Sequence, residues 1–345
     1  MNIFLYQIFK MKLKYFLIAL LAVFVLSAAV FVFVLFVPNG QASSLPLVIP
    51  DGASYQQVED SIQKNDWVRN KLTFRIAARF LNYNHVMKGK YVIDKNENNF
   101  EIIKKLRRGQ HYPVKFTINN IRTKCQLLQK IESFHFLFDI ADLETLLNDS
   151  SFLAKYDLTP ATAIAVFQPN TYEFYYDISA QGFFEKMYGY YQKFWNQKRL
   201  EIADSMGFTP LEVATLASIV EEENFKECEK AIIAGLYINR LHQDLLLQAD
   251  PTVKFALGDF SIKRVYEKHT QVDSPYNTYK YKGLPPGPIR IPAQSTIDSV
   301  LNYTHHNYIF MCAKEDFSGT HHFTNSYSQH LVNSRKYQRA LSAME

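Results

Sequence analysis

The sequence predicts an α+β protein in three parts: an N-terminal transmembrane helix, a small α+β module and a larger, mainly helical mixed α+β domain. Three observations carry that prediction. The 23 residues from Tyr15 to Val37 contain no charge, no proline and no glycine, which is enough apolar length to span a bilayer. Helix caps and turn residues then alternate with short apolar runs to about residue 118. A chain of 345 residues with 48% hydrophobic content leaves ample sequence beyond that for a second, larger core. The expected boundaries are 1–14 for the N-terminal flank, 15–37 for the membrane helix, 38–44 for a linker, 45–118 for the module and 119–345 for the larger domain.

Lys10, Lys12 and Lys14 precede the apolar stretch and the first acidic residue is Asp51, so the charge bias puts the short N-terminus in the cytoplasm and the rest outside. A cleaved signal peptide is the competing reading, although its apolar core usually runs only about 7–15 residues. The formal net charge is +5 and the clearest basic run, Lys104, Lys105, Arg107 and Arg108, is short, which argues against a nucleic-acid partner. Cys125, Cys228 and Cys312 lie far apart without metal-ligand spacing. A zinc site is therefore not expected, and one disulfide bridge stays open.

Within the module, Leu47–Ile49 reads as a strand, Pro50–Gly52 as a turn, and Ser54 with Gln57 as a capping box. Residues 90–93 read as strand, 99–108 as a helix closed by Gly109, and 112–118 as a closing strand. In the larger domain a long helix is expected from about Ala180 to Ser205. A second helix follows, started by Thr209, Pro210 and Glu212 as a capping box with proline at the first position. Tyr281–Pro292, with four prolines and two glycines, must be a stiff loop, and residues 308–313 look like a strand ahead of His321, His322 and Thr324.

The Thr209 helix ends in Glu221, Glu222 and Glu223. Glu221 continues the small apolar face of Val213, Ala214 and Ala217, so burial should raise its pKa toward the range of a general acid. Glu222 lines up with Thr215 and Ser218 on a more polar face, and Glu223 with Leu216 and Ile219. The plain alternative is a solvated helix end, which the helix dipole mildly disfavours.

These residues carry a pattern. Leu216-Ala217-Ser218-Ile219-Val220-Glu221, Ile238-Asn239-Arg240-Leu241, Leu247-Gln248-Ala249-Asp250-Pro251-Thr252-Val253, Tyr276-Asn277-Thr278-Tyr279 and Gly283-Leu284-Pro285-Pro286-Gly287-Pro288-Ile289 occur in that order. Together with Phe167–Tyr172 and His322-Phe323-Thr324 they closely resemble the MltG (YceG-like) family of endolytic murein transglycosylases. The resemblance implies lytic cleavage of the β-1,4 bond between N-acetylmuramic acid and N-acetylglucosamine, leaving a 1,6-anhydromuramyl end. It also implies a LysM-like module, a periplasmic catalytic domain on the inner membrane, and peptidoglycan strands and wall synthases as partners. The catalytic glutamate of the family falls on Glu221 in this alignment of motifs. Gln248, Asp250, Asn277, Tyr279, Glu223, Asn239, Arg240, His322 and Thr324 are the candidate substrate-binding residues. Departures from the family pattern are Glu222 where lysine is commoner, Asn224 where threonine is commoner, and Ala249 in place of threonine.

The lytic reaction that the resemblance implies needs one carboxylate, because the muramyl 6-hydroxyl supplies the nucleophile, and so no metal or organic cofactor is expected; a hydrolase needs two carboxylates. Glu223 or Asp250 could supply a second carboxylate, so a hydrolase stays open, as does a non-catalytic wall-binding scaffold.

Overall fold

The structure is a computed structural model describing residues 2–41, 46–109, 113–224 and 226–343. Two compact units divide the chain, one spanning 1–114 with 173–178 and the other 115–172 with 179–345.

The first unit begins with helix α1 (Asn2–Phe36), which starts ahead of the lysine flank rather than at Tyr15. Its stretch Ile8–Phe36 is long and apolar enough to cross a membrane. Strand β1 (Leu47–Ile49), helix α2 (Tyr55–Lys64), helix α3 (Lys71–Phe80), strand β2 (Gly89–Tyr91) and helix α4 (Asn99–Arg107) follow. β1 and β2 pair antiparallel, Leu47 opposite Tyr91. Ser54 and Asn98 each form the reciprocal capping box that specifies a helix start, and Gly109 closes α4 at φ +63°, a conformation that suits glycine. The core of Leu47, Ile62, Phe74, Tyr91, Ile102 and Leu106 also takes in Val34 and Leu35 from the end of α1. An amide chain locks that end: Asn39 Nδ2 donates to Asn99 Oδ1 (2.6 Å), and Asn99 Nδ2 to the Val34 carbonyl (2.7 Å). Residues 38–41 are therefore built into the unit, with bridges Pro38 to Asn98 and Gly40 to Val68; positions 42–44 of the expected linker lie outside the described residues. Helix α3 was not anticipated. Its signals are Asn70, which accepts from Thr73 N, and a buried face of Phe74, Ala77 and Ala78.

Strand β3 (Pro113–Ile118), expected to close the module, instead pairs with β4 (Asn170–Tyr175) in a separate two-stranded sheet. The second unit continues with α5 (Lys124–Glu132), α6 (Ile140–Leu146), α7 (Ser150–Ala154), α8 (Ala180–Phe194) and α9 (Gln197–Ser205). The expected continuous helix from 180 to 205 is thus two: the buried Trp195 leaves helical geometry and Asn196 caps α9 by accepting from Arg199 N.

Helix α10 (Pro210–Glu223) is the centre of this unit, with every residue from Val213 to Glu221 buried. A helix apolar on all sides must be surrounded. Around it lie α11 (Glu227–His242), α12 (Asp250–Leu257) and α13 (Gln294–Leu301). The proline-rich loop also seals it, as Ile289 N donates to Ser218 Oγ at 3.0 Å. Gly287 lets that loop pass the Ala161 carbonyl, where an added Cβ would sit 2.3 Å away. The chain ends with the antiparallel pair β5 (Phe310–Ala313) and β6 (His321–Thr324), covered by α14 (Tyr327–Ser342).

Candidate active site

Three consecutive glutamates at the end of α10 divide between two environments, a shared ion-pair cluster for Glu221 and Glu222 and a cavity for Glu223. Glu221 Oε2 accepts from Ala293 N (2.7 Å) and Thr296 Oγ1 (2.7 Å) at the start of α13, and its Oε1 lies 3.2 Å from Arg290 Nη2. Glu222 takes Arg122 in a fork (2.7 and 3.1 Å) and Arg290 Nη1 at 2.8 Å. Two carboxylates and two guanidiniums thus form a neutral, largely buried cluster. Glu221 is thus committed to a backbone N–H, a hydroxyl and a guanidinium, and it does not line the cavity into which Glu223 opens. The polar face expected of Glu222 is also buried, since Thr215 and Ser218 are 3% and 0% exposed.

Glu223 stands apart from that cluster. It opens into a cavity of about 370 Å³, which it shares with Tyr237 and Arg240 of α11, Gln248, Asp250, Tyr279, strand β5, His321 and His330. Tyr237 donates its hydroxyl to Glu223 Oε1 at 2.6 Å. Loss of water at Glu223 is the largest influence and pushes its pKa up to about 7; the Tyr237 hydrogen bond opposes this and the charge of Asp250 adds to it. The carboxyl is therefore balanced between its acid and base forms near neutral pH.

The remaining walls are fixed by hydrogen bonds. Arg240 Nε and Nη2 hold the Leu246 carbonyl (2.8 and 2.6 Å), Nη1 the Ile309 carbonyl (2.7 Å), and Nη2 also Gln248 Oε1 (2.6 Å). Gln248 has φ +53°, a left-handed turn that delivers Asp250 to the first turn of α12. Tyr279 donates to Asp250 Oδ1 at 2.6 Å, and burial with that bond raises the phenol far above its ordinary pKa.

Of the candidates read from the sequence, Glu223, Arg240, Gln248, Asp250 and Tyr279 meet in this cavity, and Glu221, Asn239, Asn277, His322 and Thr324 do not line it. Asn277 is wholly buried and pins its own loop by donating to the Thr270 and Val272 carbonyls. Asn239 donates to the His306 and Tyr308 carbonyls, steadying the approach to β5. Thr324 Oγ1 accepts from Ser326 N at the turn into α14. His322 pairs with Glu315 at 2.8 Å, while its neighbour His321 lines the cavity and is held by Glu229, 2.8 Å from Nδ1. Adjacent strand residues face opposite ways, and of the two histidines it is His321 that lines the cavity. Sequence reading also missed Tyr237 and His330, each on a helix face whose neighbours are set by the tertiary fold. His330 Nδ1 is buried with no hydrogen-bond partner, and desolvation lowers its pKa.

Fold and site define an α+β protein with a polar, hydrogen-bond-lined cleft at the end of a buried helix. The chain belongs to the YceG-like family, whose model matches residues 47–336. A protein of Streptococcus pneumoniae named endolytic murein transglycosylase is 26% identical over 314 residues, which cover 82% of this chain and 56% of the relative. The chain thus spans about half the length of that relative. A Bacillus subtilis protein of the same name is 26% identical over 317 residues, covering 87% of each chain. The crystal structure of a YceG-like protein from Listeria monocytogenes has a TM-score of 0.55 at 26% identity, covering 84% of this chain and 98% of that one.

Proposed function

We propose that this protein is a membrane-tethered endolytic murein transglycosylase that cleaves the muramyl–glucosaminyl β-1,4 bond without water, with Glu223 as the acid and base. The observation that carries the assignment to Glu223 is its place in the polar cavity beside Tyr237, Gln248 and Asp250, which neither Glu221 nor Glu222 lines; burial there raises its pKa. Protonated Glu223 gives its proton to the glycosidic oxygen as the C1–O bond breaks. The carboxylate then takes the proton of the muramyl 6-hydroxyl, whose oxygen bonds to C1. One residue performs both transfers, and the pKa near operating pH suits each.

The other residues bind and orient. With its oxygen committed to Arg240, Gln248 presents its NH₂ end to a sugar carbonyl or hydroxyl. Asp250, fixed by Tyr279, keeps charge near Glu223 and so keeps its pKa raised. Glu221 and Glu222 are structural in this reading, locking α10 to α13 and to Arg290. A hydrolytic outcome is the second reading, favoured by Asp250 as another carboxylate on the same cavity. The α1 helix is read as a single-pass anchor with both units on the outer face of the cytoplasmic membrane, and the small module as LysM-like and strand-holding.

The test is digestion of purified peptidoglycan in ¹⁸O-labelled water by the wild-type protein and by Glu223→Gln and Glu221→Gln variants. Anhydromuramyl ends without label support the lytic reaction; label at the anomeric carbon identifies hydrolysis. Glu223→Gln should lose roughly 10²- to 10⁴-fold or more. Full activity in that variant removes the assignment.

A further inference from the structure

We infer that helix α3 of the first unit is a membrane-interface element, lying in the outer head-group layer beside α1 and recognising anionic lipid. The inference rests on reading α1 as the anchor. Three large apolar side chains on α3, Leu72, Ile76 and Phe80, are 63%, 46% and 62% exposed. Their spacing of four places them in one stripe, separate from the buried face of Phe74, Ala77 and Ala78. Arg79 is exposed at the flank of the stripe, whereas Arg75 turns to α2 and pairs with Glu59. An apolar stripe flanked by a basic residue is the pattern of a helix lying in a bilayer interface.

Continuity with α1 identifies the occupant. Phe80 packs edge-on against Phe31 of α1, ring centroids 4.9 Å apart, so the stripe runs directly onto the apolar span. On the other side of α1, Phe36 meets Phe100 of α4 at 5.8 Å. From Phe31 onward α1 is thus gripped by its own unit. The apolar part left free is Tyr15–Val30, sixteen residues or about 24 Å of helix, against a hydrocarbon core about 30 Å thick. The shortfall disappears when the gripped turns enter the membrane, which takes the α3 stripe into the interface with them. Beside Phe100 lies a cleft of about 480 Å³ walled by Lys104, Arg107 and Arg108. That position and charge fit a lipid phosphate.

The test uses the full-length protein with its three native cysteines changed to serine. A fluorophore is attached to a single new cysteine, in Leu72→Cys, Phe80→Cys, Val25→Cys or the exposed α2 control Gln56→Cys. Vesicles are phosphatidylcholine, with or without phosphatidylglycerol. Quenching of the Leu72→Cys and Phe80→Cys probes by head-group spin-labelled lipid, with shielding from iodide, is the expected result. Phosphatidylglycerol should strengthen it, and Lys104→Ser with Arg108→Ser should remove that gain. If both probes are as open to iodide as Gln56→Cys while Val25→Cys is quenched by lipid, the inference is overturned and the anchor stands. If Val25→Cys is itself open to iodide, the anchor reading has failed and the inference with it.

Discussion

Glu221 and Glu223 sit two positions apart on one helix, yet the structure gives them different partners. That contrast yields two measurements that do not depend on substrate. The folded-state pKa of Glu223 is raised from 4.5 to about 7, so the folded protein holds this proton more tightly than the unfolded chain does. Stability from this group is fully present below about pH 4.5 and is lost as pH rises through about 7. Glu223→Gln cannot ionise and still accepts from Tyr237, so it should be the more stable protein at pH 8, by about 1–3 kcal/mol, with the advantage gone at pH 4. Thermal melts of both proteins across that range check the sign. Glu221→Gln should instead destabilise at neutral pH by about 1–3 kcal/mol, because Arg290 is left buried with only Glu222 as its ionic partner. Urea melts give the value, and an unchanged midpoint would mean that the Arg290 pairing contributes nothing.

At the scale of elements, strand register and helix approach determine what reaches the cavity. His321 and His322 are neighbours on β6, and only the first lines the cavity. His321→Asn should therefore lower peptidoglycan cleavage about tenfold, the worth of one good hydrogen bond. His322→Asn should stay near wild type; equal losses in both variants would contradict the register. Helix α11 passes the segment leading to β5 at Gly235, where an added Cβ would lie 2.3 Å from the Thr304 carbonyl. Gly235→Ala should force the two apart at a cost of about 1–3 kcal/mol, measured by denaturant melts.

For the whole molecule, one apolar helix begins the chain and its last turns belong to the core of the first unit. A charge in the middle of the span, Val25→Asp, should cost on the order of 3 kcal/mol of insertion free energy and release protein from membrane pellets. Because Val34 and Leu35 are core residues, a soluble form starting after Leu35 should also be less stable than one keeping them. Comparing melts of the two truncations in detergent checks this.

The sequence alone determined what short-range chemistry dictates. Ser54 with Gln57, and Thr209 with Glu212, are capping boxes because each satisfies exposed N–H groups within four residues of itself. The apolar span and the proline-rich loop were legible for the same reason, since length and backbone restriction are local properties. Five of the expected site residues do share one cavity, and the motif order that pointed to them pointed to the family as well. Only the tertiary structure decided which glutamate meets the cavity, because a helix aims successive side chains about 100° apart and the sequence does not say where the surrounding elements lie. Arg290, 69 residues after Glu221, claims that carboxylate, and Tyr237 with the cavity claims Glu223. The separate pairing of β3 with β4 was hidden likewise, for strand partners are chosen by long-range burial and hydrogen bonding rather than by the strand's own residues.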